Sequence, residues 1–218
     1  RDYSIITKLQ AFQLNVHFTV EQSGREYSDY FLQFNGTAGV WRKDTIESAG
    51  GWEADTLTED LDLSYRAQLK GWKIHYLEHI GSPAELPAEM NGLKSQQFRW
   101  MKGGAETAKK ILPKVWHSKA SFIKKLHASA HLLNSSIFLC IFVVGILSVP
   151  LSFFLGYLGF NSQNFSIFLL GFAAIIFVYY VANMNTTWKG EPFFKTLFKF
   201  LILFPVFISL SMGLSLHN

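Results

Sequence analysis

A stretch of 63 residues without a single Asp, Glu, Lys or Arg, from Leu126 to Trp188, constrains this sequence more than any other feature. About 18 consecutive apolar residues already indicate a membrane span. The sequence therefore predicts a membrane protein and excludes a wholly soluble one. Of its 218 residues, 20 are Lys or Arg and 16 are Asp or Glu, and most of these lie in residues 1–125, which have the composition of a globular domain.

Three transmembrane helices are predicted, at residues 137–158, 165–182 and 197–216. Lysines lie before the first span and between the second and third, so the positive-inside rule places the globular part in the cytoplasm. We expect an integral membrane protein. The lack of a eukaryotic targeting feature favours the bacterial inner membrane over the Golgi. The sequence starts at Arg1 and stops beside an apolar run, so both ends are expected to be cuts in a longer protein.

Positive charge is concentrated just before the apolar region. Residues 1–98 carry 9 basic and 14 acidic side chains, whereas residues 99–125 carry 8 and 1. Lysines interleaved with apolar residues predict amphipathic helices on an anionic membrane surface, and we assign residues 102–131 to them. Nucleic-acid binding would leave unexplained why the basic run adjoins the apolar region. The expected partner is therefore the lipid bilayer, and no nucleic-acid partner is expected.

Residues 1–101 have the pattern of a mixed α/β domain. The predicted elements are strands near Tyr30–Phe34 and Lys73–Leu77, a short helix near Lys43–Ser48, a helix after Thr58, and a helix from about Glu89 through Trp100. Thr58 is a good N-cap, and Leu61, Tyr65 and Leu69 form one apolar stripe on the helix that follows it. The expected fold class is α/β, followed by interfacial and transmembrane helices.

Thr58-Glu59-Asp60 places two carboxylates in the first turn of a predicted helix. The free backbone N–H groups and the helix dipole favour the ionised form there, and an ionised carboxylate can act as a general base. The alternative is that these acids only stabilise the helix. Asp60 and Asp62 also match a metal-binding D-x-D pattern, but side chains two residues apart on a helix diverge by about 200°, so no metal is assigned to this sequence.

Gln96, Arg99 and Trp100 share one face of a predicted helix, because their spacing is i, i+3 and i+4. An amide, a guanidinium fork and an indole ring together suit a phosphorylated sugar, since Arg binds a diphosphate through two hydrogen bonds. The alternative is an amphipathic helix that enters the membrane interface, where Arg and Trp are both favoured. The residues alone leave both interpretations open.

The motifs occur in a characteristic order: Phe34-Asn35-Gly36-Thr37, Gly50-Gly51-Trp52, Thr58-Glu59-Asp60 and Gln96-Gln97-Phe98-Arg99-Trp100, followed by paired membrane spans. In this order the sequence resembles the membrane-embedded family of inverting glycosyltransferases that includes the cellulose and mannan synthases. The stretch Glu85-Leu86-Pro87-Ala88-Glu89-Met90 is most similar to the glucomannan and mannan synthase-like branch.

The resemblance implies a role for each matching residue. It makes Asp60 the base that deprotonates the acceptor hydroxyl, with Glu59 and Thr58 shaping its pocket. It places the diphosphate and the acceptor sugar against Gln96, Arg99 and Trp100, and the acceptor site beside Asn35, Gly36 and Thr37. It also implies that residues 1–101 are the acceptor-side half of a GT-A-type catalytic domain, that residues 102–131 are basic interfacial helices, and that residues 132–218 are the transmembrane region.

The implied reaction is the transfer of a hexose from a nucleotide diphosphate sugar to a growing β-glycan at the cytoplasmic membrane face. In this family the membrane spans can also pass the growing polymer across the bilayer, so polymer translocation is part of the implied function. The implied cofactor is a divalent metal, Mg or Mn, with its ligands in an N-terminal half that precedes this sequence. Such a fragment is not expected to catalyse alone. Two alternatives remain: a transferase that adds one sugar to a lipid or short acceptor, and a transport or scaffold subunit that binds a polysaccharide.

Overall fold

The computed structural model describes residues 3–36, 38–157 and 166–215. These residues form nine α-helices: α1 Ile5–Val16, α2 Ser23–Tyr27, α3 Lys43–Ser48, α4 Glu59–Leu69, α5 Met90–His117, α6 Phe122–Leu132, α7 Ile137–Tyr157, α8 Ser166–Asn185 and α9 Phe193–Ser215. A π-helical turn, His17–Gln22, follows α1, and a 3-10 turn, Leu133–Ser136, precedes α7. Within the described residues the chain divides into two compact units: residues 3–20 with 138–157 and 166–215, and residues 21–36 with 38–137.

The first unit contains α1 and the apolar helices. Its core is aromatic, because Phe12 of α1 is buried against Trp188, Phe200 and Phe204. Asn15 of α1 also donates a buried hydrogen bond of 2.8 Å to Asn183 of α8. This buried polar contact helps to fix which faces of α1 and α8 meet.

Each predicted membrane span falls on one of the helices α7, α8 and α9. By length and composition, one segment of the described residues, Phe193–Leu214, could cross a membrane, and it overlaps the predicted third span. The apolar segments of the other two helices are shorter, at Ile146–Tyr157 and Leu170–Asn185. Leu158, Phe165 and Leu216, which end the predicted spans, lie outside the described residues.

The second unit has a core between α4, α5 and α6. Tyr65, Ile111, Val115 and Ala128 are fully buried in it, and Phe31 stacks on Tyr65 at 5.1 Å between ring centroids. The predicted stripe on α4 is confirmed, since Leu61 and Tyr65 belong to this core and Leu69 packs against it. The predicted short helix Lys43–Ser48 is also confirmed as α3.

Helix α5 is longer than the sequence pattern predicted. It was expected to end near Trp100 but continues to His117, through Pro113 in its last turns. Leu93, Ala108, Ile111 and Val115 are buried at helical spacing along it, so packing of this face holds the whole length in one helix. The proposed domain boundary between residues 101 and 102 falls inside this helix.

The predicted strands are absent from the described residues, so the α/β class is not confirmed. Tyr30–Phe34 and Lys73–Leu77 lie in loops. Side chains of α4 satisfy the backbone of the first segment: Gln68 accepts a hydrogen bond from Leu32 N and donates one to Leu32 O. Helical side chains thus bind backbone groups that a neighbouring strand would bind in a sheet.

Candidate active site

The N-terminus of α4 carries Thr58, Glu59 and Asp60. Thr58 occupies the N-cap position, but its hydroxyl makes no capping hydrogen bond to α4. It lies 3.0 Å from the hydroxyl of Thr107 on α5 instead. The predicted N-cap position of Thr58 is confirmed, but its hydroxyl makes a tertiary contact instead of a capping hydrogen bond.

Asp60 is partly buried, and both of its carboxylate oxygens accept backbone hydrogen bonds. Oδ2 accepts one from Gly36 N and Oδ1 accepts one from Leu61 N, each at 2.8 Å. Burial nevertheless raises the pKa of Asp60 above its ordinary value, and it outweighs the opposing effect of these two hydrogen bonds. The helix N-terminus was expected to favour the ionised carboxylate, but desolvation has the larger effect on the pKa of Asp60. A raised pKa makes the ionised carboxylate a stronger base.

The loop before α3 is bound to one face of α4. Three backbone N–H groups of the loop donate hydrogen bonds to side chains of α4: Leu32 N to Gln68, Phe34 N to Ser64, and Gly36 N to Asp60. In an extended chain, alternate residues face the same side, and on a helix residues four apart share one face, so the two sets match. We call these three contacts the loop ladder. It brings the Asn35-Gly36 turn to Asp60, which the sequence predicted only through its resemblance to a family.

The Asn35-Gly36 turn has the expected geometry. Gly36 has φ +59°, in the left-handed region that favours glycine, and Ala38 N donates to Asn35 O at 3.1 Å. Thr37, the third predicted residue of this turn, lies outside the described residues.

Asp62 faces away from Asp60, as the helical spacing predicted. It is fully buried, and its carboxylate binds Arg66 Nε at 2.7 Å and lies 3.2 Å from Lys110 Nζ. Lys110 also contacts Glu53 and Asp55. We call Glu53, Asp55, Asp62, Arg66 and Lys110 the ionic cluster.

Lys110 is the centre of the ionic cluster. Burial lowers its pKa, but hydrogen bonds to Asp55, Glu53 and Asp62 outweigh burial, so the pKa is raised and the ammonium stays charged. Oxygens of the same three carboxylates lie within 4.8 Å of one another, a spacing that could hold a metal ion. The ammonium already supplies the positive charge at this place, so the cluster does not fit a divalent metal.

The ionic cluster also fixes the glycine turn before Trp52. Arg66 donates a hydrogen bond of 2.5 Å to Ala49 O, next to Gly50 and Gly51, whose φ angles of +94° and +82° require glycine. The predicted break at Gly50-Gly51 is confirmed. Trp52 follows the turn with 48% of its surface exposed, and its ring meets that of Trp41 edge to face at 6.0 Å between centroids.

Gln96, Arg99 and Trp100 all lie on α5, as predicted. Arg99 and Trp100 are exposed, whereas the side-chain oxygen of Gln96 is buried and has no hydrogen-bond partner among the described residues. No hydrogen bond or ion pair between described residues joins Arg99 to Asp60. The same helical face continues through Gly103 and Thr107, which touch the segment before Asp60. One turn of helix, about 6 Å, separates Arg99 from Gly103.

Sequence reasoning missed the residues that join α4 to α5. Glu106 accepts a hydrogen bond from Leu57 N, Thr107 meets Thr58, and Lys110 meets Asp62. These pairs are about 50 residues apart in sequence, so no local pattern indicates them. The i, i+4 pair of Asp62 and Arg66 could have been found, because opposite charges at that spacing attract on a helix.

The family model described as glycosyl transferase family group 2 matches residues 1–187. The chain belongs to glycosyl transferase family group 2. Its curated relatives confirm the predicted resemblance to the cellulose and mannan synthase-like glycosyltransferases.

Relatives from two plants match more than half of this chain. Glucomannan 4-beta-mannosyltransferase 1 of Oryza sativa subsp. japonica is 42% identical over 127 residues, which are 58% of this chain and 24% of the relative. Glucomannan 4-beta-mannosyltransferase 7 of Arabidopsis thaliana is 38% identical over 141 residues, 60% of this chain and 25% of the relative. This family group 2 chain therefore spans about a quarter of the relatives' length. No solved structure matches it.

The expected bacterial inner membrane has no support from these relatives, because they are plant proteins. The relatives are named for the transfer of mannose to a glucomannan, which agrees with the predicted transferase class.

Proposed function

We propose that this chain is the acceptor-side part of a membrane glycosyltransferase that transfers a hexose, as an inverting enzyme, from a nucleotide diphosphate sugar to a β-glycan. The contact that supports this most is the hydrogen bond from Gly36 N to Asp60 Oδ2. It joins a turn suited to the acceptor with a carboxylate suited to deprotonate it, although 24 residues separate them. Names of the plant relatives make a mannosyl group the first donor to test.

In the proposed reaction, Asp60 removes the proton from an acceptor hydroxyl, which attacks the anomeric carbon while the bond to the diphosphate breaks. Its raised pKa suits this role, because a weakly acidic group is a better base once ionised. Glu59, exposed beside it, and Thr58 shape the approach to Asp60.

The exposed guanidinium of Arg99 neutralises the departing diphosphate. Trp100, 39% exposed, offers a ring to the acceptor sugar. Gln96 lies on the same helix, and its buried side-chain oxygen must turn outward before it can accept a hydrogen bond from that sugar.

The donor-binding half, an α/β sheet and a divalent metal are proposed for the part of the longer protein that this chain does not cover. In that setting the segment Tyr30–Phe34 could join a sheet, and Mg or Mn would neutralise diphosphate charge. The ionic cluster is proposed to take no part in metal binding, because the Lys110 ammonium already supplies its positive charge. The globular unit is proposed to lie at the cytoplasmic face of the membrane, with α6 and the end of α5 on its surface, where Trp116, Phe122 and Ile123 are exposed.

The test is sugar transfer by the longer protein in membranes, with a panel of nucleotide sugars and a divalent metal. Asp60→Asn is expected to lower the rate about a hundredfold or more, because it removes a general base. Asp44→Asn is a matched control: Asp44 is also the second residue of a helix, α3, and it is exposed. Equal rates for Asp60→Asn and the control would remove Asp60 as the base, and silence with every donor would favour the transport or scaffold alternative.

A further inference from the structure

The hydroxyl of Thr58 bonds across to α5 rather than to its own helix. An N-cap Thr usually accepts a hydrogen bond from a backbone N–H of the helix it begins. Here no such bond forms, and the hydroxyl lies 3.0 Å from that of Thr107, whose side chain is fully buried. The start of α4 is therefore fixed by α5, at a residue two positions before Asp60.

At Gly103, helix α5 lies in close contact with the backbone of Leu57 and Thr58, and a side chain would not fit between them. A Cβ atom added there would lie 2.7 Å from Thr58 Cγ2, 2.8 Å from Thr58 N and 2.9 Å from the carbonyl carbon of Leu57. Two of these three atoms belong to the backbone, so rotation of a side chain cannot relieve the overlap. Glu106 completes the contact by accepting a hydrogen bond from Leu57 N at 3.1 Å.

The contact face continues along α5 to the proposed diphosphate site. Arg99 precedes Gly103 by four residues and Thr107 follows it by four, so all three lie on one side of the helix. Residues 99–107 belong to one continuous helix of 28 residues, so we expect them to move together. Any displacement of Gly103 from Thr58 therefore displaces Arg99 from Asp60.

We propose that Gly103 and Thr107 form a seat that sets the spacing between the base Asp60 and the diphosphate-binding Arg99. Both are positioning residues: neither touches the substrate, and both act through the start of α4 and the face of α5. The inference rests on the proposed function, since it gives that reaction its geometry. It predicts that moving Gly103 away from Leu57 and Thr58 slows catalysis, although the substrate still binds.

The test compares Gly103→Ala with Gly104→Ala in the longer protein, with initial rates measured over a range of donor and acceptor concentrations. Ordinary contact needs about 3.4 Å, so the new Cβ at Gly103 must move the segments apart by roughly half an ångström or more. A misplacement of about 1 Å can cost a hundredfold, so we expect kcat to fall at least about tenfold with the donor KM within about threefold.

Gly104 is a matched control on the same helix. A Cβ there would meet Ser135 at an ordinary 3.5 Å, and the gain in helix propensity is the same at both positions. We expect its kcat to stay within about twofold of the original, in the absence of any displacement of Arg99. Equal kcat values for the two alanine variants would overturn the proposal.

A second pair of variants keeps the test valid if Gly103→Ala does not fold. Thr107→Val keeps the shape but removes the hydroxyl, and Thr107→Ser keeps the hydroxyl. We expect kcat to fall in the first and to be retained in the second. A loss in Thr107→Val explained entirely by a lower melting temperature, or an equal loss in both, would overturn the proposal. If Asp60→Asn remains active, the proposed function fails; if only that variant is inactive, the seat fails alone.

Discussion

Replacing Lys110 with Met removes the central charge of the ionic cluster and keeps a side chain of similar volume. Asp62 is fully buried, and Lys110 is only 18% exposed, so this pair is poorly solvated. Removing one partner of a buried pair costs about 3–5 kcal/mol when the other charge is left unpaired. Asp62 keeps Arg66 at 2.7 Å, so we expect a smaller loss, about 2 kcal/mol.

Urea unfolding of the purified longer protein in detergent, followed by tryptophan fluorescence, measures this loss. Lys109→Met is the matched control, because Lys109 is the neighbouring residue on α5 and is exposed. Surface substitutions change the free energy of unfolding by about 0.5 kcal/mol at most. A Lys110→Met variant as stable as the control would refute the idea that the buried pair joins α4 to α5.

The pH dependence of stability gives a second measure of the same cluster. A hydrogen bond from Lys110 lowers the pKa of both Glu53 and Asp55 in the folded protein. A carboxylate with a lowered folded pKa stabilises the protein above its unfolded pKa and loses this effect as the pH falls through the folded value. The original protein is therefore expected to lose stability below about pH 4 more steeply than Lys110→Met. Parallel curves would contradict this.

Two further predictions concern the reaction itself. Arg99→Lys is expected to weaken sugar transfer, because an ammonium cannot bind a diphosphate through two parallel hydrogen bonds. Arg42→Lys, at an exposed site, is the control. Unchanged transfer rates of Arg99→Lys at limiting and saturating donor would reject the role of Arg99. Because burial raises the pKa of Asp60, kcat/KM is expected to fall on acidification at a pH above the ordinary Asp value of 3.8, and an acid limb at or below that value would contradict its assignment as the base.

Local patterns predicted the helices but not the contacts between them. The short helix at Lys43–Ser48 and the stripe from Leu61 to Leu69 follow from local sequence patterns alone, and both were found as expected. The divergence of Asp60 and Asp62 also follows from helix geometry. These predictions succeed because each depends on residues within one or two helical turns.

The strands at residues 30–34 and 73–77 were predicted from aromatic and aliphatic residues, but such a pattern does not show which groups the backbone will bond to. In the structure, Gln68 and Ser64 bind the first segment. The polar residues Asp60, Ser64 and Gln68 recur every fourth residue on α4, about 100° around the helix from its apolar stripe, and this row was a usable signal. The extension of α5 past Trp100 and the Thr58–Thr107 contact depend on tertiary packing, which overrides local preference.

The loop ladder limits how the length of this chain can vary. Its three contacts need Leu32, Phe34 and Gly36 to face the same side. One residue inserted between Leu32 and Gly36 would turn every later backbone N–H to the opposite side, as a one-residue slip does in a sheet, and would withdraw the turn from Asp60. Residues 77–85 are exposed throughout, so insertions there disturb no such register. We therefore expect engineered insertions to be tolerated in residues 77–85 and to abolish sugar transfer in residues 32–36.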